Sequence, residues 1–245
     1  KFLAMTTKIK NWVYKFLRRS QKYTGTDNVY LAAGSFWLTL GQLASTAASF
    51  SLAIAFANLL DPVVYGNYKY ILSLIGILGV FSFPGIRVAI SQATARGLEG
   101  SYYTGFKMQM KLSVLGSFAA IAGAVYYWIR GNEILPIPLF LTAVFFPLMA
   151  ASQVYISFLA GKKLFNFQSK YTIANQIIFT ALVIGALFIT KNLFLLVAVY
   201  LIAHTAINYT LYLITKIKLK PNKKEDSKTI PFGIHLSLMA FIGQI

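Results

Sequence analysis

Residues 171–228 read YTIANQIIFTALVIGALFITKNLFLLVAVYLIAHTAINYTLYLITKIKLKPNKKEDSK. Two apolar stretches, 171–190 and 193–215, are separated only by Lys191 and Asn192. Each has about the 20 residues that an α-helix needs to cross roughly 30 Å of hydrocarbon. Threaded in alternation, the two helices run in opposite directions across the membrane. One end of the pair then carries a single cation, Lys191. The other carries Lys216, Lys218, Lys220, Lys223, Lys224 and Lys228.

Four more stretches of the same kind precede these two, at 30–59, 67–86, 106–129 and 137–160. Threaded in alternation from a cytoplasmic N-terminus, they place 20 of the 23 Lys+Arg on one side. The N-terminal tail contributes Lys1 to Lys22. The second-to-third connection contributes Arg87, Arg96, Lys107 and Lys111, and the fourth-to-fifth Lys162, Lys163 and Lys170. The opposite side keeps Lys69, Arg130 and Lys191. Positive charge collects on the cytoplasmic side of membrane proteins. The expectation is an all-α polytopic membrane protein, a six-helix transmembrane bundle with a cytoplasmic N-terminus.

Composition agrees. The chain is 57% hydrophobic and 12% charged, against about 25% charged residues in soluble domains. A net charge of +17 would suggest nucleic acid in a soluble protein. Here the cations flank apolar spans, so anionic lipid headgroups are the expected partner and nucleic acid is not. The absence of cysteine excludes disulfides, thiolate metal sites and thiol nucleophiles. The first apolar run is too long for a signal peptide and lacks a clear cleavage site.

The chain divides into a basic N-terminal segment 1–28, a six-span lobe 29–215, a basic cytoplasmic linker 216–229 and a seventh apolar run 230–245. That last run is too short to span, and the chain opens on Lys1. Both suggest a natural protein that continues. Within the first segment, Ile9, Trp12, Val13, Phe16 and Leu17 form one helical face, with lysines and arginines around it. This is the pattern of a helix lying in the membrane interface; a partner-binding helix is the alternative. Thr26 or Asp27 can cap the first span. Pro62 is expected to halt it and Gly66 to permit a turn before the second. Pro84-Gly85 should kink or end the second span. Pro136 and Pro138 open the fourth.

Polar side chains inside the spans fall in stripes. The first holds Ser35, Thr39, Gln42, Thr46 and Ser49, close together at 100° per residue. The fourth contributes Gln153 and Ser157, the fifth Thr172, Asn175, Gln176 and Thr180, and the sixth Tyr200, His204, Asn208, Tyr212 and Thr215. Amides and imidazoles facing hydrocarbon are costly, so they should face protein or a wet cavity. Interhelical glue and a hydrophilic pathway are both open readings of these stripes. The small-residue face of the third span (Ser113, Gly116, Ser117, Ala120, Gly123, Ala124) reads as close helix packing.

Among the cations at predicted inner ends, Arg87, Lys107, Lys111 and Lys170, snorkelling to headgroups is the ordinary role. Arg87 differs, because it follows Phe83-Pro84-Gly85, where a broken helix could turn the side chain inward. No Asp or Glu falls inside a span, so the intramembrane carboxylate usual for proton or sodium coupling is missing. No phosphate-cradling glycine loop occurs. His204 and His235 are not spaced as metal ligands, and no cofactor is expected. Asn208-Tyr209-Thr210 matches a glycosylation sequon but lies within a span.

The stretch Gly41-Gln42-Leu43, with Ala57-Asn58-Leu59-Leu60-Asp61-Pro62-Val63-Val64-Tyr65-Gly66-Asn67-Tyr68 and Pro84-Gly85-Ile86-Arg87-Val88-Ala89, resembles the start of oligosaccharide flippases. These belong to the multidrug/oligosaccharidyl-lipid/polysaccharide exporter superfamily. The resemblance is strongest over 30–97; Asn58 stands where relatives often carry a cation. It implies two six-helix lobes around a central cavity, this chain being the N-terminal lobe, with the C-terminal lobe following in the same chain. It further implies that undecaprenyl-diphosphate-linked oligosaccharide is flipped across the bacterial inner membrane by alternating access. On that implication, Arg87 and inner-face lysines such as Lys111 receive the diphosphate. Gln42, Thr46, Gln153, Gln176 and His204 line the sugar path, and no residue is catalytic. A multidrug or cation exporter of the same superfamily and a membrane-embedded polysaccharide polymerase are the alternatives.

Overall fold

A computed structural model describes residues 18, 19 and 28–242. The interfacial helix expected over 8–22 and the caps at Thr26 and Asp27 lie outside the described residues, except for Arg18 and Arg19, which are helical and exposed. The described residues form helices and no strand. Six segments are long and apolar enough to cross a membrane.

Helix α1 (Asn28–Leu59) contains neither proline nor charge, so nothing interrupts it. The expected loop through Gly66 does not form. Asp61 is extended at φ −61°, ψ 140° and its carboxylate accepts from Val63 N at 2.8 Å. Pro62 then opens α2 (Pro62–Leu78). Asp as N-cap followed by Pro at the first helical position is a start signal. It overrides the glycine, and Gly66 is helical. The second span therefore begins at 62 rather than 67.

The break expected at Pro84-Gly85 is present. Helix α2 tightens into a 3₁₀ turn over Gly79–Ser82 and stops at Phe83, whose φ is 49°. A residue preceding proline is disfavoured in the right-handed helical region. The Ser82 carbonyl freed by the break accepts from Gln109 Nε2 at 2.8 Å. Non-helical backbone at membrane depth needs such protein partners. Helix α3 (Pro84–Ala95) follows, then α4 (Ser101–Ile129) after a turn at Gly97.

The fourth span is two helices, α5 (Pro136–Ser152) and α6 (Val154–Gly161), separated by a turn at Gln153. Pro147 within α5 has no N–H to give to the Ala143 carbonyl. Ser117 Oγ of α4 supplies that donor at 2.6 Å. Helices α7 (Phe165–Ile189) and α8 (Leu193–Leu219) meet at Asn192, which caps α8 by accepting from Phe194 N at 2.9 Å. Helix α8 continues past 215 to its C-cap at Lys220, φ 41°. Beyond the hydrocarbon a basic helix end keeps its backbone bonds and gains from the negative C-terminal dipole. Helix α9 (Thr229–Ile242) completes the described chain.

Helix α1 lies along α7, α4 along α5, α5 and α7 along α8, and α9 along α3. The small-residue face of α4 packs as expected. Ser113, Gly116, Ser117, Ala120 and Ala124 are buried, and a methyl group on Gly116 would strike the Phe146 ring. The outward faces are oily: Val144 is 73% exposed, Phe188 74% and Ile129 81%. Water would not tolerate this collection, and lipid does. At the basic end Glu99 pairs with Lys162. Its second oxygen accepts from Asn222 N at 3.0 Å, and Gly100 N donates to Lys224 O at 2.7 Å. The connector is thereby strapped over the α3–α4 turn.

Candidate functional site

Two adjoining cavities open between α1, α2, α6, α7 and α8. The first, of about 280 Å³, is lined by Tyr155, Ile156, Thr172, Asn175, Gln176, Phe179, Tyr200 and His204. The second, of about 210 Å³, is lined by residues including Ser49, Phe56, Tyr65, Tyr68, Lys69, Gln176 and Tyr200. Gln176, Phe179 and Tyr200 belong to both, so these are neighbouring compartments. The four-residue spacing of Tyr200, His204 and Asn208 places them on one face of α8, and α7 brings Asn175, Gln176 and Phe179 against it.

The wall is wired by hydrogen bonds. Asn208 Oδ1 accepts from Tyr155 OH at 3.2 Å and from Asn175 Nδ2 at 3.1 Å. Asn208 Nδ2 donates to the His204 carbonyl at 2.7 Å. Gln176 Nε2 reaches Ser49 Oγ of α1 at 3.4 Å, a long bond. His204 stacks on Tyr200 with centroids 6.0 Å apart and meets the Phe179 ring edge-on. Such a wall offers amide, imidazole and phenol groups with unused hydrogen-bonding capacity, together with aromatic faces. Such groups can hydrogen-bond to and stack against polyhydroxylated ligands.

Arg87 lies toward the basic end, in the first turn of α3, four residues after the left-handed Phe83. Its Nη1 donates to Gln153 Oε1 at 2.7 Å. Gln153 is the break residue of the fourth span, two positions before Tyr155 of the cavity wall. Two helix discontinuities are thus joined through one cation. Burial pushes the guanidinium below its ordinary value, yet arginine keeps its proton at neutral pH. A half-buried cation bonded to a neutral amide retains its attraction for an anion.

Of the residues singled out from sequence, the structure joins Arg87 to Gln153 and puts Gln176 and His204 in one cavity. Gln42 and Thr46 stand exposed on α1, in the stripe that ends at Ser49. Lys111 is exposed on α4 and lines neither cavity. Tyr65, Tyr68, Lys69, Tyr155 and Phe179 escaped the sequence reading. Aromatic residues at helical spacing look like core, and Lys69 looks like an interfacial anchor. Their signal was the spacing of Tyr65, Tyr68 and Leu72 on one face of α2 beside a cation.

The profile of a family described as polysaccharide biosynthesis protein matches residues 31–245. The chain belongs to that family. With six span-length apolar helices it is a multi-pass membrane protein. No curated protein and no solved structure matches it significantly. Its family relates it to polysaccharide biosynthesis or export, and its described residues hold no cluster of His, Cys, Asp or Glu able to bind a metal.

Proposed function

We propose that this chain forms the N-terminal lobe of a flippase that moves a polyprenyl-diphosphate-linked oligosaccharide across the bacterial inner membrane by alternating access. The observation that carries this is Arg87 held by Gln153 at two helix breaks, with Tyr155, two residues beyond Gln153, in the wall of a cavity lined by amides, phenols and an imidazole. A diphosphate is bound by a cation through charge-assisted hydrogen bonds, which a guanidinium can supply. A sugar chain needs hydrogen-bonding and aromatic walls. Binding at helix discontinuities between bundles is a recurrent transporter arrangement. A second lobe in the same chain would close the other side of the path, and anionic lipids would hold the basic face. The chain acts as a transporter, not an enzyme, with its N-terminus in the cytoplasm.

A cation exporter is the less supported reading. All Asp and Glu lie outside the six spans, and a cation-coupled site needs an acid at depth. The test replaces Arg87 with Ala in the full-length protein and measures delivery of lipid-linked oligosaccharide to the outer leaflet. Loss of delivery with normal membrane insertion is expected. Unchanged delivery removes Arg87 from the path.

A further inference from the structure

The compartment farther from Arg87 has its own chemistry. Lys69 lies two helical turns inside α2 from Pro62, about 10 Å along the axis at 1.5 Å per residue. It lines the 210 Å³ cavity. Its ammonium sits 5.8 Å from the centre of the Tyr65 ring, and among the described residues no carboxylate pairs with it. Asp61, the nearest acid in sequence, is committed to capping α2.

Beside it, Tyr68 is 2% exposed and lines the same cavity, stacked on Phe56 at 4.5 Å. Its hydroxyl is buried with no hydrogen-bond partner. Buried hydroxyls are ordinarily satisfied, because an unpaired one carries its full desolvation cost. Gln176 keeps its amide oxygen available, since only Nε2 is used and over a long bond. The compartment therefore offers an unpaired cation, an orphaned hydroxyl, a free amide oxygen and three tyrosine rings.

We propose that this compartment is a saccharide subsite selective for an acidic sugar, with Lys69 pairing to the ring carboxylate and Tyr68 and Gln176 bonding ring hydroxyls. The proposal rests on the flippase reading and adds the charge of the cargo's sugar to it. A neutral sugar would use the tyrosines and Gln176 but leave Lys69 idle. The carrier's diphosphate is the other possible oxyanion at Lys69, and the test separates the two.

The full chain in phosphatidylcholine nanodiscs is titrated with cellobiose, with its glucuronic acid analogue cellobiouronic acid, and with inorganic pyrophosphate. Binding is read by saturation-transfer NMR. The acidic disaccharide is expected to bind about fivefold more tightly than cellobiose at low salt, the advantage of one partly exposed ion pair. Lys69→Gln should abolish that preference while leaving cellobiose binding intact, and Tyr68→Phe should weaken both disaccharides alike. Equal affinity for the two disaccharides in the unaltered protein, or no sugar binding, overturns the proposal. So does a Lys69→Gln protein that loses pyrophosphate binding but keeps the disaccharide preference, which would assign Lys69 to the carrier. None of these outcomes decides the flippase reading, which is judged by the Arg87→Ala translocation assay.

Discussion

Arg87 Nη1 donates to Gln153 Oε1 at 2.7 Å, and this one bond ties the first turn of α3 to the gap between α5 and α6. A hydrogen bond to a charged group contributes about 1.5–3 kcal/mol. Gln153→Leu should lower the thermal unfolding temperature in nanodiscs and leave the guanidinium unpaired. Gln153→Glu should preserve stability through an ion pair but depress translocation, because the carboxylate competes with the anionic cargo. Equal translocation by the Glu and Gln proteins would separate this pair from transport.

Asn208 serves as acceptor for both Tyr155 and Asn175. Asn208→Leu orphans two donors and should cost roughly 1–2 kcal/mol, the range for polar contacts between membrane helices. Tyr155→Phe in that background should add little, since the two share one bond. Additive losses in a double-mutant cycle would show that the bond contributes nothing.

Gly85 lets α3 and α9 touch. A Cβ there would strike Ser237 N and the Gly233 carbonyl, both backbone atoms that cannot swing away, and would disturb the bond from Gly85 N to Ser237 Oγ at 2.9 Å. Gly85→Ala should destabilise by about 1–3 kcal/mol, as overpacking does. Gly76→Ala, in open space within α2, should be neutral or mildly stabilising. Thermal unfolding of the two variants side by side checks the contrast.

Glu99 holds Lys162 and the Asn222 amide at once. Glu99→Ala should release the connector, at a cost of about 1 kcal/mol for a partly exposed pair. Hydrogen exchange at Asn222 should quicken by about fivefold, while the Val183 and Leu196 amides stay protected. Unchanged exchange at Asn222 would show that the strap is held by other contacts.

The absence of cysteine makes single cysteines clean reporters. Ser49→Cys and Gln176→Cys, on the cavity walls, should react with a membrane-impermeant thiol reagent. Val183→Cys and Leu196→Cys, fully buried, should not. No labelling of the first two in any transport state would mean the cavities are dry.

Much of the fold is legible in the sequence. The span count, the basic end and the break at Pro84 follow from composition and from proline's missing donor. The start of α2 was misjudged at Gly66, because the local Asp61-Pro62 cap outweighed a glycine that a helix can absorb. The turn at Gln153 carries no glycine or proline of its own, so the sequence did not announce it. For the candidate site, His204 and Gln176 stood out as polar groups in oil. Tyr68 and Lys69 did not, since an aromatic ring and an interfacial lysine are ordinary in membrane helices.

The chain's sequence alone determined that lipid is its solvent, how many helices cross, and which end is positive. Those properties sum residue by residue along a helix and need no partner. Tertiary structure decided that Arg87 meets Gln153, that Asn208 gathers Tyr155 and Asn175, and that Lys69 and Tyr68 face the same hollow as Gln176. These depend on how each helix is rotated and how closely its neighbour approaches. Contacts such as Gly85 on Gly233 and Gly116 on Phe146 set both, between residues far apart in the chain.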